Sequence, residues 1–208
     1  MPPSCPPTAS RAPSTAAAMP PSEEAAMTAS LLTIHDLQVS YRARGQTIPA
    51  VRGVDLDVAP GEIVALVGES GSGKSTVARA ILGMLADNAT ISGGSIRFDG
   101  IETTTLDEAG LRRLCGEAIG WVPQDPMVTL NPLHRVGRHV TEPLVIHRRA
   151  PRRALRARAV DLLAKVGLSR PALRARQFPH ELSGGMRQRV LIAGALAAGP
   201  RLIIADEP

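Results

Sequence analysis

GESGSGKST, residues Gly68–Thr76, decides how this chain reads. It fits the pattern GxxxxGK[ST] and stands between an apolar run, Ile63–Val67, and a helical run, Thr76–Leu85. The spacing predicts a buried parallel strand, a tight loop and a helix in succession. Small residues let backbone N–H groups converge on an anion. Gly68, Gly71 and Gly73 are expected to take positive φ, and the helix that follows adds its partial positive N-terminus. Glu69, Ser70, Ser72 and Thr76 belong to the same candidate phosphate cradle. Lys74 is expected to reach the β- and γ-phosphates of a nucleotide. Ser75 offers a hydroxyl to Mg²⁺, an ion that takes few protein ligands alongside phosphate oxygens.

Two later stretches complete the pattern. Leu202–Ala205, the apolar part of LIIADEP, reads as a buried strand, so Asp206 and Glu207 emerge at its C-terminal end, where open α/β sheets hold their ligands. In LSGGMRQRV, residues 182 to 190, Ser183, Gly184 and Gly185 would present backbone donors at the start of an apolar helix, Met186–Ala198. That is a second anion site, and one nucleotide does not need two.

The three motifs in this order resemble the ATP-binding subunit of an ABC transporter. The resemblance implies an α/β fold: a P-loop NTPase with a parallel core sheet, an antiparallel β flank and a helical insertion. It implies ATP and Mg²⁺ as ligands, with Asp206 holding the metal and Glu207 acting as general base on the attacking water. Ser183, Gly184 and Gly185 would cap a nucleotide held by a second ATPase subunit, identical or not, in a head-to-tail dimer. Gln124, in WVPQDPM fifty residues after Lys74, resembles a glutamine that senses Mg²⁺ and water and joins two subdomains. Tyr41, thirty-three residues before Lys74, matches an aromatic that stacks on adenine. The family's domain would continue beyond Pro208.

A longer match narrows the resemblance. VGESGSGKST, QDPM followed by LNPL, PHELSGGMRQRV and LIIADEP together look like the ATPases of dipeptide, oligopeptide and nickel importers, over roughly residues 31–208. Met186 is similar to the first of two non-identical ATPases in such importers. The implied partners are transmembrane permease subunits and, indirectly, an extracytoplasmic solute-binding protein. The implied location is peripheral, on the cytoplasmic face of the plasma (inner) membrane. Two other readings stay open: a soluble ABC ATPase acting on nucleic acid or ribosomes, and an ATP-binding fragment without hydrolytic activity.

Composition sets bounds on these readings. With 44% apolar residues the chain can build a core. The longest low-polarity stretch, Val190–Gly199, is half of the roughly twenty residues that a membrane helix needs. Cys5 and Cys115 are too few for a disulfide framework or a zinc site. His35, His134, His139, His147 and His180 show no metal spacing. Residues 1–30 hold seven of the eighteen prolines and are expected to be a disordered Pro/Ala-rich tail, with translation beginning at Met27.

From Leu31 onward, strands are expected over Leu32–Tyr41, Val51–Val58, Ser95–Phe98 and Ala118–Val122. A turn is expected at Asp99-Gly100 and a short helix at Asp107–Cys115. Residues 125–180 read as the helical insertion, with Leu155, Ala159, Leu162, Leu163 and Val166 on one inward face. Arg148, Arg149, Arg152, Arg153, Arg156 and Arg158 crowd the other face and exceed the net charge of +5. Without interleaved aromatics they read as a solvated face, and no nucleic-acid partner is expected.

Overall fold

A computed structural model describes residues 30–69 and 71–208; residues 1–29 and Ser70 lie outside it, and with them nearly all of the expected disordered tail. Four strands form an antiparallel sheet in the order β2-β1-β3-β4: β1 Leu32–Ala43, β2 Gln46–Val58, β3 Ala89–Phe98 and β4 Ile101–Glu102. Two more, β5 Ile119–Val122 and β6 Leu202–Ala205, pair in parallel. Helix α1, Lys74–Ile81, follows the glycine loop, and α2, Glu108–Glu117, precedes β5. Then come α3 Pro126–Thr129, α4 Val136–Ile146, α5 Leu155–Lys165, α6 Pro171–Arg174 and α7 Gly184–Leu196.

The strand pattern is legible in β1. Leu32, Ile34, Leu37 and Val39 are buried, a period of two broken once. A bulge between Ile34 and Leu37, where Asp36 takes φ +43°, inserts the extra residue that turns Leu37 and Val39 back to the core. Across the sheet, Gly94 has φ +82°, and a Cβ there would lie 2.3 Å from the Asp36 carbonyl oxygen. Asp99 and Gly100, both at positive φ, make the two-residue turn between β3 and β4.

Apolar side chains gather in two cores. The first joins the sheet (Ile34, Leu37, Val39, Ile96, Phe98) to α1 through Val77, Ala80 and Ile81, and reaches Ile119 of β5. The second is helical: Val136, Val140 and Leu144 of α4, Leu162 and Leu163 of α5, and Val190, Leu191 and Ala193 of α7, around Val122 of β5. Strand β5 therefore belongs to both. Its two ends pack in different cores, so it ties the glycine-loop half to the helical half.

A polar clamp adds to that tie. Glu117, at the end of α2, accepts from Arg149 and pairs with His147 Nδ1 at 3.3 Å, both beyond the end of α4. Gly116 is held at φ +92°, and a Cβ there would meet His147 Nε2 at 2.6 Å.

Two expectations fail. Ile63–Val67 is not a buried strand: residues 62–69 form no ladder, and Ile63 and Val67 are 95% and 90% exposed. Alternation and hydrophobicity give a strand only where a neighbour supplies hydrogen bonds, and among the described residues none lies alongside. Strand β6 forms, but it is not buried; Ile203 is 44% exposed because β6 pairs with β5 on one edge only. A cavity of about 720 Å³, lined by Ile63–Leu66 on one side and Leu202–Pro208 on the other, separates the two segments. The parallel sheet thus has two hydrogen-bonded strands here.

Two measurements test this packing. Gly45, at φ +76° with nothing within 4 Å of a Cβ, bears only the left-handed backbone cost, whereas Gly94 adds a backbone clash. In chemical denaturation, Gly45→Ala should cost about 1–2 kcal/mol and Gly94→Ala about 2–5 kcal/mol; equal losses would contradict the bulge geometry. The Arg149 guanidinium holds the Glu117 carboxyl below its ordinary 4.5. A depressed folded-state pKa contributes stability above the unfolded value that is lost as acid protonates the group. Glu117→Gln should therefore lose less stability than wild type as pH falls below 4.5, and parallel acid profiles would remove the clamp from the fold.

Candidate functional site

Gly73 caps α1 from φ +99°, and Gly71 has φ +82°, as the tight loop requires. Gly68 differs from expectation, because its φ is not positive. A Cβ there would sit 2.9 Å from Ser72 Oγ, the free end of a side chain that can rotate away. A Cβ on Gly73 would sit 2.9 Å from the Ala50 carbonyl oxygen, so β2 backs the loop, a long-range contact that no local motif announces. Lys74 Nζ donates to the carbonyls of Gly68 at 2.8 Å and Glu69 at 2.7 Å, and Ser72 N–H closes a turn onto Glu69. The loop is wrapped around its own ammonium, with the first turn of α1 behind it. Ser70 lies outside the described residues.

The carboxylates are placed by β-sheet register. In the parallel pair, Val122 faces Ala205, and the Asp206 N–H extends the ladder to the Val122 carbonyl at 3.0 Å. Two residues beyond each strand end, Gln124 and Glu207 are level with one another, and Gln124 Nε2 donates to Glu207 Oε2. Asp206 reaches the other way, accepting from Ser75 Oγ at 3.2 Å. Two motifs 131 residues apart thus close one site. Glu207 takes φ +46°, a left-handed conformation uncommon outside glycine and of the kind that clusters where geometry serves chemistry.

Ser75 and Asp206 give a hydroxyl and a carboxylate within one ion's reach, a donor set that suits Mg²⁺ completed by phosphate oxygens and water. Among the described residues no three His, Cys, Asp or Glu side chains form an all-protein cage.

Tyr41 lies beside the start of α1, its hydroxyl 3.4 Å from Thr76 Oγ1. That contact brings the expected aromatic to the phosphate loop. Ser183, Gly184 and Gly185 stand elsewhere. Ser183 is the N-cap of α7, with no side-chain cap bond, and α7 packs on α4, α5 and β5 in the helical core. A Cβ at Gly184 or Gly185 would meet nothing within 4 Å, and residues 183–185 are exposed. Arg187, unremarked in the sequence, fixes that turn: its Nε donates to the Pro179 carbonyl at 2.7 Å, and its Nη1 lies against Met127 Sδ of α3, three residues beyond Gln124.

The family model described as ABC transporter matches residues 51–208. The chain is 50% identical over 179 residues to the oligopeptide transport ATP-binding protein OppD of Mycobacterium bovis, covering 86% of this chain and 29% of that protein. It is 46% identical to OppD of Bacillus subtilis, covering 86% and 50% respectively. Among solved structures, the dimeric post-hydrolysis state of the ATP-binding cassette MJ0796 bound to ADP and Pi superposes with a TM-score of 0.75 at 33% identity, over 84% of this chain and 73% of that one. The chain cbiO1 from Clostridium perfringens, part of the complex cbiONQ, gives 0.70 at 29% identity, over 86% and 66%. The chain belongs to the ABC transporter family. It spans half or less of the length of the two curated relatives named here.

Proposed function

We propose that residues 31–208 bind and hydrolyse ATP as the nucleotide-binding part of an importer subunit, and that the solute is a peptide. The observation that carries this reading is the junction of the phosphate loop with the carboxylate strand end, Ser75 to Asp206 and Gln124 to Glu207. The relatives' names, oligopeptide transport ATP-binding protein in both organisms, favour peptides over nickel.

In this reading the amides around Gly68–Thr76 and the helix dipole take the β- and γ-phosphates, and Lys74 leaves the Gly68 and Glu69 carbonyls to meet them. Tyr41 lies under the base. Ser75 and Asp206 would hold Mg²⁺, with Gln124 near by through Glu207. The ion, when bound, offsets charge on the phosphate oxygens. Glu207, aimed by Gln124, takes the proton of the water that attacks the γ-phosphorus; ADP leaves as the P–O bond breaks.

The exposed turn of Ser183, Gly184 and Gly185 at the start of α7 suits a phosphate presented by a second ATPase subunit, and the MJ0796 cassette at 33% identity is dimeric. ATP would then close the dimer and hydrolysis reopen it. Permease subunits would be moved through the segment at Gln124 and α3, where Met127 and Val128 are exposed. In this reading the domain works at the cytoplasmic face of the inner membrane. Among the described residues no helix is long and apolar enough to cross a bilayer, so the reading assigns the crossing to partners.

Glu207→Gln should leave ATP affinity within about twofold and lower steady-state hydrolysis by roughly 10²–10⁴, trapping an ATP-dependent dimer on size exclusion. Lys74→Ala should weaken binding of a fluorescent ATP analogue about ten- to hundredfold, the loss of a charge-assisted hydrogen bond. Normal turnover in Glu207→Gln would take Glu207 out of the base role, and wild-type affinity in Lys74→Ala would take the ammonium out of the phosphate site.

A further inference from the structure

A groove of about 320 Å³ lies between the start of α4, α5 and the end of α6. Its charged lining is all of one sign: Arg135, Arg138, Arg156 and Arg176, with no acidic residue, over a floor that includes Leu155 and Val160. Arg135 is positioned by the fold, donating to the Arg176 carbonyl at 2.7 Å and stacking 5.2 Å above the Phe178 ring. Among the described residues the side chains of Arg138, Arg156 and Arg176 have no ion-pair or hydrogen-bond partner. Four guanidiniums around one small cavity repel one another, and among the described residues no carboxylate pairs with them.

The surroundings extend the pattern. Between Glu142 and Asp161 there are six arginines and no acid, and of these only Arg149 is ion-paired. Val145 and Ile146 at the end of α4 and Leu173 of α6 are exposed nearby in sequence. Planar, weakly hydrated guanidiniums on apolar stems, over a lining that includes Leu155 and Val160, match a surface that is anionic at the headgroup and apolar just beneath. A nucleic acid would want flat partners for its bases, and none of the groove's lining residues is aromatic.

We propose that this arginine-rimmed groove of the helical half seats the phosphate of an anionic phospholipid at a bilayer surface. The contact is independent of nucleotide and of any permease. It gives Arg156 of the arginine-rich face a role that hydrolysis does not.

The test is sedimentation of the purified chain with vesicles of phosphatidylcholine alone or with added phosphatidylglycerol, at low and high salt. The expected result is partitioning onto anionic vesicles only, falling steeply with salt. Replacing three arginines, Arg138→Gln, Arg156→Gln and Arg176→Gln, should lower the partition coefficient roughly hundredfold, at about fivefold for each charge near the surface. The Lys versions of the same three should retain most of the binding. The same charge removed elsewhere, by Arg52→Gln, Arg112→Gln and Arg113→Gln, should change it less than about threefold.

Equal loss in the two triple Gln variants, groove and control, would reduce the effect to net charge and overturn the proposal. So would binding to neutral vesicles alike, displacement from the vesicles by millimolar inorganic phosphate, which would mark a free-anion site, or tighter binding to a duplex oligonucleotide than to the anionic vesicles. If the Gln variant did not fold by circular dichroism, the Lys variant and the salt profile of the wild-type chain would decide by the same criteria.

Discussion

The parallel pairing of β5 with β6 is the constraint on which the rest of the candidate site depends. Four residues on each side, in register from Ile119 with Leu202 to Val122 with Ala205, fix where the chain leaves each strand. Gln124, Asp206 and Glu207 all sit within two residues of those exits. Asp206 continues the ladder and turns toward Ser75; Glu207, in a left-handed conformation, meets Gln124. A slip of one residue would send each of these side chains to the opposite face. The register is held because Ile119 and Val122 are almost fully buried, one in each apolar core.

That double membership has a mechanical consequence. The phosphate loop rests on the sheet core through α1, while the Ser183 turn rests on the helical core through α7. The two halves meet along β5, at the Glu117 clamp, and where Arg187 touches the segment just past Gln124. A change felt at Gln124 can thus be passed to the Ser183 turn by packed groups, over a short path. The two candidate phosphate binders are then parts of separately packed bodies, as a mechanism that opens and closes a nucleotide site between subunits would use.

Much of this was legible in the sequence, because phosphate loops are local. GxxxxGK[ST] specifies its own turn, and the structure supplies the helix that follows it and the positive φ at Gly71 and Gly73. The α/β architecture, the antiparallel flank and the helical stretch after Gln124 followed from periodicity and turn residues. What was not legible depends on partners distant in sequence. Ile63–Val67 has a strand's composition and no ladder, and Gly73 is confined by Ala50. Arg187 and Glu117 carry no local signal at all, since their meaning lies in Met127 and Arg149.

The claim that one site is built from two motifs 131 residues apart is tested most directly by a double-mutant cycle on Ser75 and Asp206. ATP affinity in the presence of Mg²⁺ would be measured for wild type, Ser75→Ala, Asp206→Asn and the double variant. A shared site predicts strongly non-additive losses, with a coupling of about 0.5–3 kcal/mol. Losses that simply add, to within about 0.3 kcal/mol, would mean that the hydroxyl and the carboxylate act on different things.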